Sequence, residues 1–88
     1  MGLLDKPALL ALLTLYMLGS MRKTDLIFTI YNTYGERYHH STITDRLERL
    51  RRAGLTREQN GEWTLTEKGR STIQSLLHTF ADLRDWLG

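Results

Sequence analysis

Four arginines fall within seven residues, at Arg46, Arg49, Arg51 and Arg52. A guanidinium fork is planar and always charged. It matches phosphate oxygens or the O6/N7 edge of guanine, so such a cluster points to a polyanion. Just before it stands the run His39-His40-Ser41-Thr42. Small polar side chains at a helix start allow close approach to base edges, and the helix N-terminus itself attracts phosphate. Arg57 and Asn60 follow in a short polar stretch. The candidate residues for contacting such a partner are His39, His40, Ser41, Thr42, Asp45, Arg46, Arg49, Arg52, Arg57 and Asn60. Asp45 and Glu48 depart from a purely basic surface. Either they accept from cytosine amino groups, or they pair with Arg49 and Arg52 at i, i+4 spacing; the ion-pair reading is preferred.

The charge distribution agrees with a localised anionic partner. Net charge is only +2, yet Arg22 to Arg57 holds eight Lys/Arg against four Asp/Glu. The flanks are mildly acidic. A solvated helix face is the plainer explanation of the same run.

Other chemistries are poorly supplied. The chain has no cysteine, which excludes disulfides and thiol catalysis and argues against structural zinc. His39-His40 lacks a third ligand, so no metal is expected, and the pair is read as a turn reaching phosphate or water. No phosphate-cradling glycine loop or clustered acid/base set is present, so neither enzyme activity nor a cofactor is expected.

The elements that must position these residues are legible as one domain of 88 residues. Asp5 and Pro7 begin a helix over 5–18 that Gly19 ends. Its leucines wrap most of the way round, which places it at the centre of a core or against another subunit. The uncharged run Pro7 to Met21 is too short and too interrupted for a membrane span, and its flanks do not suit a secretory signal. A second helix is expected over 24–34, capped by Thr24, with Tyr31 and Tyr34 in the core. The third, 40–53, carries the stripe Ile43, Leu47 and Leu50. Its rotation puts Ser41, Thr42, Asp45, Glu48, Arg49 and Arg52 outside and Arg46 and Arg51 on the flanks. Asn60-Gly61 predicts a two-residue hairpin within 55–65, pairing Glu58 with Trp63 and Thr56 with Leu65. Thr66 caps a last helix over 67–87.

Two helices, a hairpin and a helix in this order match a winged helix-turn-helix. "STITDRLERLRRAGL" resembles the recognition segment of winged-helix repressors. "WTLTEKGR" resembles the strand-to-helix return of the MarR and PadR regulator families. The similarity runs from about Lys23 to Ile73. It implies a mainly α fold with a small β-hairpin, a transcriptional regulator of double-stranded DNA, the third helix in the major groove and the wing near the backbone or minor groove.

Surplus apolar surface on the first and last helices predicts a homodimer through Leu3, Leu4, Leu9, Phe80, Leu83, Trp86 and Leu87. A cytoplasmic location is expected, with no membrane partner and no effector named by the sequence. The competing reading is a winged-helix module that docks on another protein without specific DNA binding.

Overall fold

In a computed structural model of the protein, residues 3–87 are described, and side chains through residue 81. The Asp5 carboxylate accepts from the Ala8 N–H at 3.2 Å and caps α1 (Lys6–Leu18). Gly19, at φ 87°, ends that helix, and its N–H donates to the Leu15 carbonyl at 2.9 Å. Ala8, Ala11 and Leu12 are fully buried, because the helices Lys23–Tyr34, His40–Arg52 and Glu67–Leu87 and the strand Glu62–Leu65 all pack on this helix. The apolar circumference of α1 therefore makes it the centre of the core.

The chain then forms β1 (Met21–Arg22) and α2 (Lys23–Tyr34). Two expectations need correction here. The N-cap of α2 is Arg22, not Thr24, and no side chain caps it. Arg22 is already extended in β1, so the helix starts where the strand stops. Tyr31 and Tyr34 are 42% and 36% exposed and do not enter the core. α2 packs on one side only, through Leu26 and Ile30, and Arg37 lies over the Tyr31 ring at 4.8 Å.

Helix α3 (His40–Arg52) buries Ile43, Leu47 and Leu50 completely, as its stripe predicts. Strands β2 (Thr56–Gln59) and β3 (Glu62–Leu65) form the hairpin. Thr56 pairs with Leu65 and Glu58 with Trp63, the register the Asn-Gly signal requires. Asn60 (φ 54°) and Gly61 (φ 83°) both take the positive φ of the turn. The sheet has a third strand that sequence reading missed: β1 adds antiparallel to β3, giving the order β1-β3-β2.

Helix α4 (Glu67–Leu87) begins at Thr66, whose hydroxyl oxygen accepts from the Gly69 N–H at 3.0 Å. The Thr66 O–H donates to the Gly54 carbonyl at 2.5 Å, and the Thr66 N–H to Leu55 at 3.1 Å. Gly69 is required by a close approach. A β-carbon there would stand 2.0 Å from the Leu55 carbonyl oxygen. Ile73 carries α4 into the same core that holds Leu12, Leu26, Ile30 and Leu50. Burying each such side chain contributes roughly 1.5–3 kcal/mol. No helix among the described residues is long and apolar enough to cross a membrane.

Candidate nucleic-acid interface

The face of α3 opposite Ile43, Leu47 and Leu50 carries Ser41, Arg49 and Arg52 at the surface, with Thr42 and Asp45 half-buried beside them. His39 is the N-cap of α3, but its side chain makes no capping bond. It lies 3.3 Å from the Ser41 hydroxyl through Nδ1, and His39, His40 and Ser41 are all exposed. Among the described residues no three His, Cys, Asp or Glu side chains gather as metal ligands.

The arginines of α3 are not equivalent. Asp45 forms an ion pair with Arg49 Nε at 2.9 Å, the expected i, i+4 pair, and accepts a hydrogen bond from Arg46 Nη1 at 2.7 Å. Arg46 turns away from the outer face toward Asp5, whose Oδ2 accepts from Nε at 2.8 Å and forms an ion pair with Nη2 at 2.8 Å. Its side chain is only 21% exposed. The Asp5 carboxylate, reinforced by Asp45, holds the Arg46 guanidinium above its ordinary pKa. Glu48 pairs with Arg51 at 2.5 Å, not with Arg52 as expected. The i, i+3 partner lies on the flank that Glu48 can reach, and the Arg51 hydrogen bond lowers the Glu48 pKa. Arg52 has no ion pair among the described residues.

In the wing, Glu58 Oε2 accepts from the Gly61 N–H at 2.8 Å, which ties this carboxylate to the tip. Asn60 stands exposed at the turn, and Arg57 is exposed on the outer side of the sheet. Sequence reading missed Arg22, which β1 places on that same sheet, level with Glu62. The only hint was the basic pair Arg22-Lys23.

The expected interface residues divide. Leu3 is 40% exposed and Phe80 61% exposed, while Leu4 and Leu9 are half-buried against the core. Leu83, Trp86 and Leu87 lie outside the residues whose side chains are described.

Four helices and a three-stranded antiparallel sheet in the order α1-β1-α2-α3-β2-β3-α4 define a winged helix-turn-helix fold. The crystal structure of quinone-bound YodB from B. subtilis is similar to it, with a TM-score of 0.75 over 93% of this chain and 85% of that chain, at 22% sequence identity. At that identity the likeness carries the fold. No family model and no curated protein matches the sequence.

Proposed function

We propose that this protein is a sequence-specific regulator of the MarR/PadR type that binds double-stranded DNA as a homodimer. The observation that carries this reading is α3 itself. Its buried face anchors it to the core, and its other face offers Ser41, Arg49 and Arg52 to a partner. A helix fits the major groove, where small polar residues read base edges and arginines take phosphate or guanine. The wing, with Arg57 and Asn60 exposed, serves the backbone or minor groove beside it. Exposed Leu3, Leu77 and Phe80 support pairing of two copies through the α1 and α4 ends. Two-fold symmetry would set the recognition helices about 34 Å apart, one turn of DNA, on an inverted repeat.

A second reading is a docking module without specific DNA binding. It is favoured by the self-compensation of α3, where Asp45 and Glu48 occupy three of the four arginines. One experiment separates the two: titration against a random duplex pool at several salt concentrations, followed by selection of the bound sequences. A regulator shows steep salt dependence and an enriched inverted repeat. Arg52→Ala lowers the log–log salt slope by about 0.9, one phosphate contact. Binding without salt dependence or enrichment rejects the regulator.

A further inference from the structure

The outer face of the sheet holds a charged groove distinct from α3. Antiparallel register sets Arg22 of β1 level with Glu62 of β3 and Gln59 of β2, and sets Arg57 level with Thr64. Side chains alternate along a strand. These residues therefore point away from the face that buries Thr56, Trp63 and Leu65. Together they line a groove of about 390 Å³ that reaches Asn60 at the wing tip. Arg22 extends toward that tip, with Nη1 3.6 Å from where a β-carbon on Gly61 would sit.

Both arginines are exposed, and among the described residues neither has an ion-pair partner. This contrasts with α3, where three of four arginines are held by carboxylates. Strands lie about 4.8 Å apart, so Arg22 and Arg57 approach from opposite sides of β3, with Glu62 between their strands. Two guanidiniums and one carboxylate leave the groove with a single positive charge. That matches a phosphodiester, which carries one negative charge, better than a dianionic phosphate monoester. The Gln59 and Asn60 amides add donors for the remaining oxygens.

We propose that this groove binds a backbone phosphodiester of duplex DNA, so that Arg22 and Arg57 clamp the strand beside the wing while α3 reads the bases. This rests on the DNA-binding reading above. It adds Arg22 of β1, outside both α3 and the hairpin, to the wing residues Arg57 and Asn60.

The test compares the wild-type 88-residue chain with Arg22→Gln/Arg57→Gln, Arg22→Lys/Arg57→Lys, Glu62→Gln and Arg52→Ala. Each is titrated with a random-sequence duplex at several salt concentrations, after thermal unfolding shows the fold is intact. The Gln pair should lower the salt slope by about 1.8, two contacts, and weaken binding of all sequences alike. The Lys pair should restore the slope, and Glu62→Gln should tighten binding several-fold. An unchanged slope in the Gln pair, with Arg52→Ala still lowering it, overturns the groove and leaves the DNA-binding reading standing. In a second arm, NMR follows the Arg22 and Arg57 Nε–H signals with duplex and with inorganic phosphate. Shifts at lower concentrations of duplex than of phosphate support the proposal. Shifts with phosphate and none with duplex overturn it and assign the groove to a free anion. If the wild type binds no duplex at all, both the groove and the DNA-binding reading fall.

Discussion

Asp5 and Arg46 stand 41 residues apart in sequence, yet one carboxylate joins the central helix α1 to α3. Oδ1 of Asp5 accepts from the Ala8 N–H and caps α1, while Oδ2 accepts from Nε of Arg46 on α3 and pairs ionically with its Nη2. The orientation of α3 is thus tied to the element on which the whole core packs. Losing an N-cap costs about 0.5–2 kcal/mol. Asp5→Ala should lose that and also deprive Arg46 of its main partner. Asp5→Asn keeps a capping oxygen and loses the charge, so its stability should fall between wild type and Asp5→Ala in urea unfolding. Equal stabilities for the two variants would mean the cap contributes nothing. Arg46→Ala should lower stability while leaving the salt slope of DNA binding alone, the reverse of Arg52→Ala.

The glycine at the start of α4 gives a sharper expectation. Alanine normally stabilises a helix interior by about 1 kcal/mol over glycine. At position 69 the added methyl would meet the Leu55 carbonyl oxygen at 2.0 Å, and that atom belongs to the backbone. Thr66 also bonds to Leu55 and Gly54, so the turn cannot retreat without losing those bonds. Gly69→Ala should therefore destabilise by about 1–3 kcal/mol, as overpacking does. A variant as stable as wild type in chemical denaturation would show that α4 rides more loosely on the turn.

Much of the fold was legible because its signals are local. Asp5, Gly19, Thr66 and Asn60-Gly61 act on their own neighbours, and the α3 stripe repeats at helical spacing. What escaped depends on distant parts of the chain. β1 is two residues long, too short for alternation to register, so Arg22 was not seen as part of the sheet. Arg46 sits among arginines that suit DNA, and nothing near it reveals that Asp5 holds it. Tyr31 and Tyr34 have core spacing, but spacing alone does not say that α2 packs on one side only. The choice of Arg51 over Arg52 by Glu48 turns on rotamers that sequence does not encode.

Tyr38 supplies a pH dependence. Its phenol is half-buried against the core, and desolvation, aided by the Glu36 charge, raises its pKa above the ordinary value near 10. Below that ordinary value the ring is neutral in folded and unfolded chains, and the stability is fully present. As pH rises further the unfolded chain ionises first, and stability falls through the folded pKa. Lys6, raised by its hydrogen bond to Glu36, adds a loss of the same sign in the same range. Melting temperature should decline above about pH 10, and Tyr38→Phe should flatten part of the decline. Ultraviolet titration of the phenolate checks the direction: a Tyr38 midpoint at or below that of the unfolded chain would contradict it.

A homodimer is the expected outcome of the apolar side chains left in water along α4. Leu77 is 43% exposed and Phe80 61% exposed, and Leu3 near α1 is 40% exposed. Apolar area removed from water stabilises association by roughly 25 cal/mol per Å². α4 meets α1 and β3 near its start, where Ile73 is buried, and its outward side continues apolar beyond that contact. A second copy related by a two-fold axis would cover Leu77 and Phe80 with their own counterparts. Sedimentation at micromolar concentration should give about twice the chain mass of 10.3 kDa. Leu77→Asp with Phe80→Asp should give monomers and should cost little stability within one subunit, since both side chains are exposed there. The same variant should lose affinity for an inverted repeat while keeping affinity for a half-site, because each recognition helix survives and only their spacing is lost. A wild type that sediments at the mass of one chain would remove the dimer, and the inverted repeat would lose its physical basis with it.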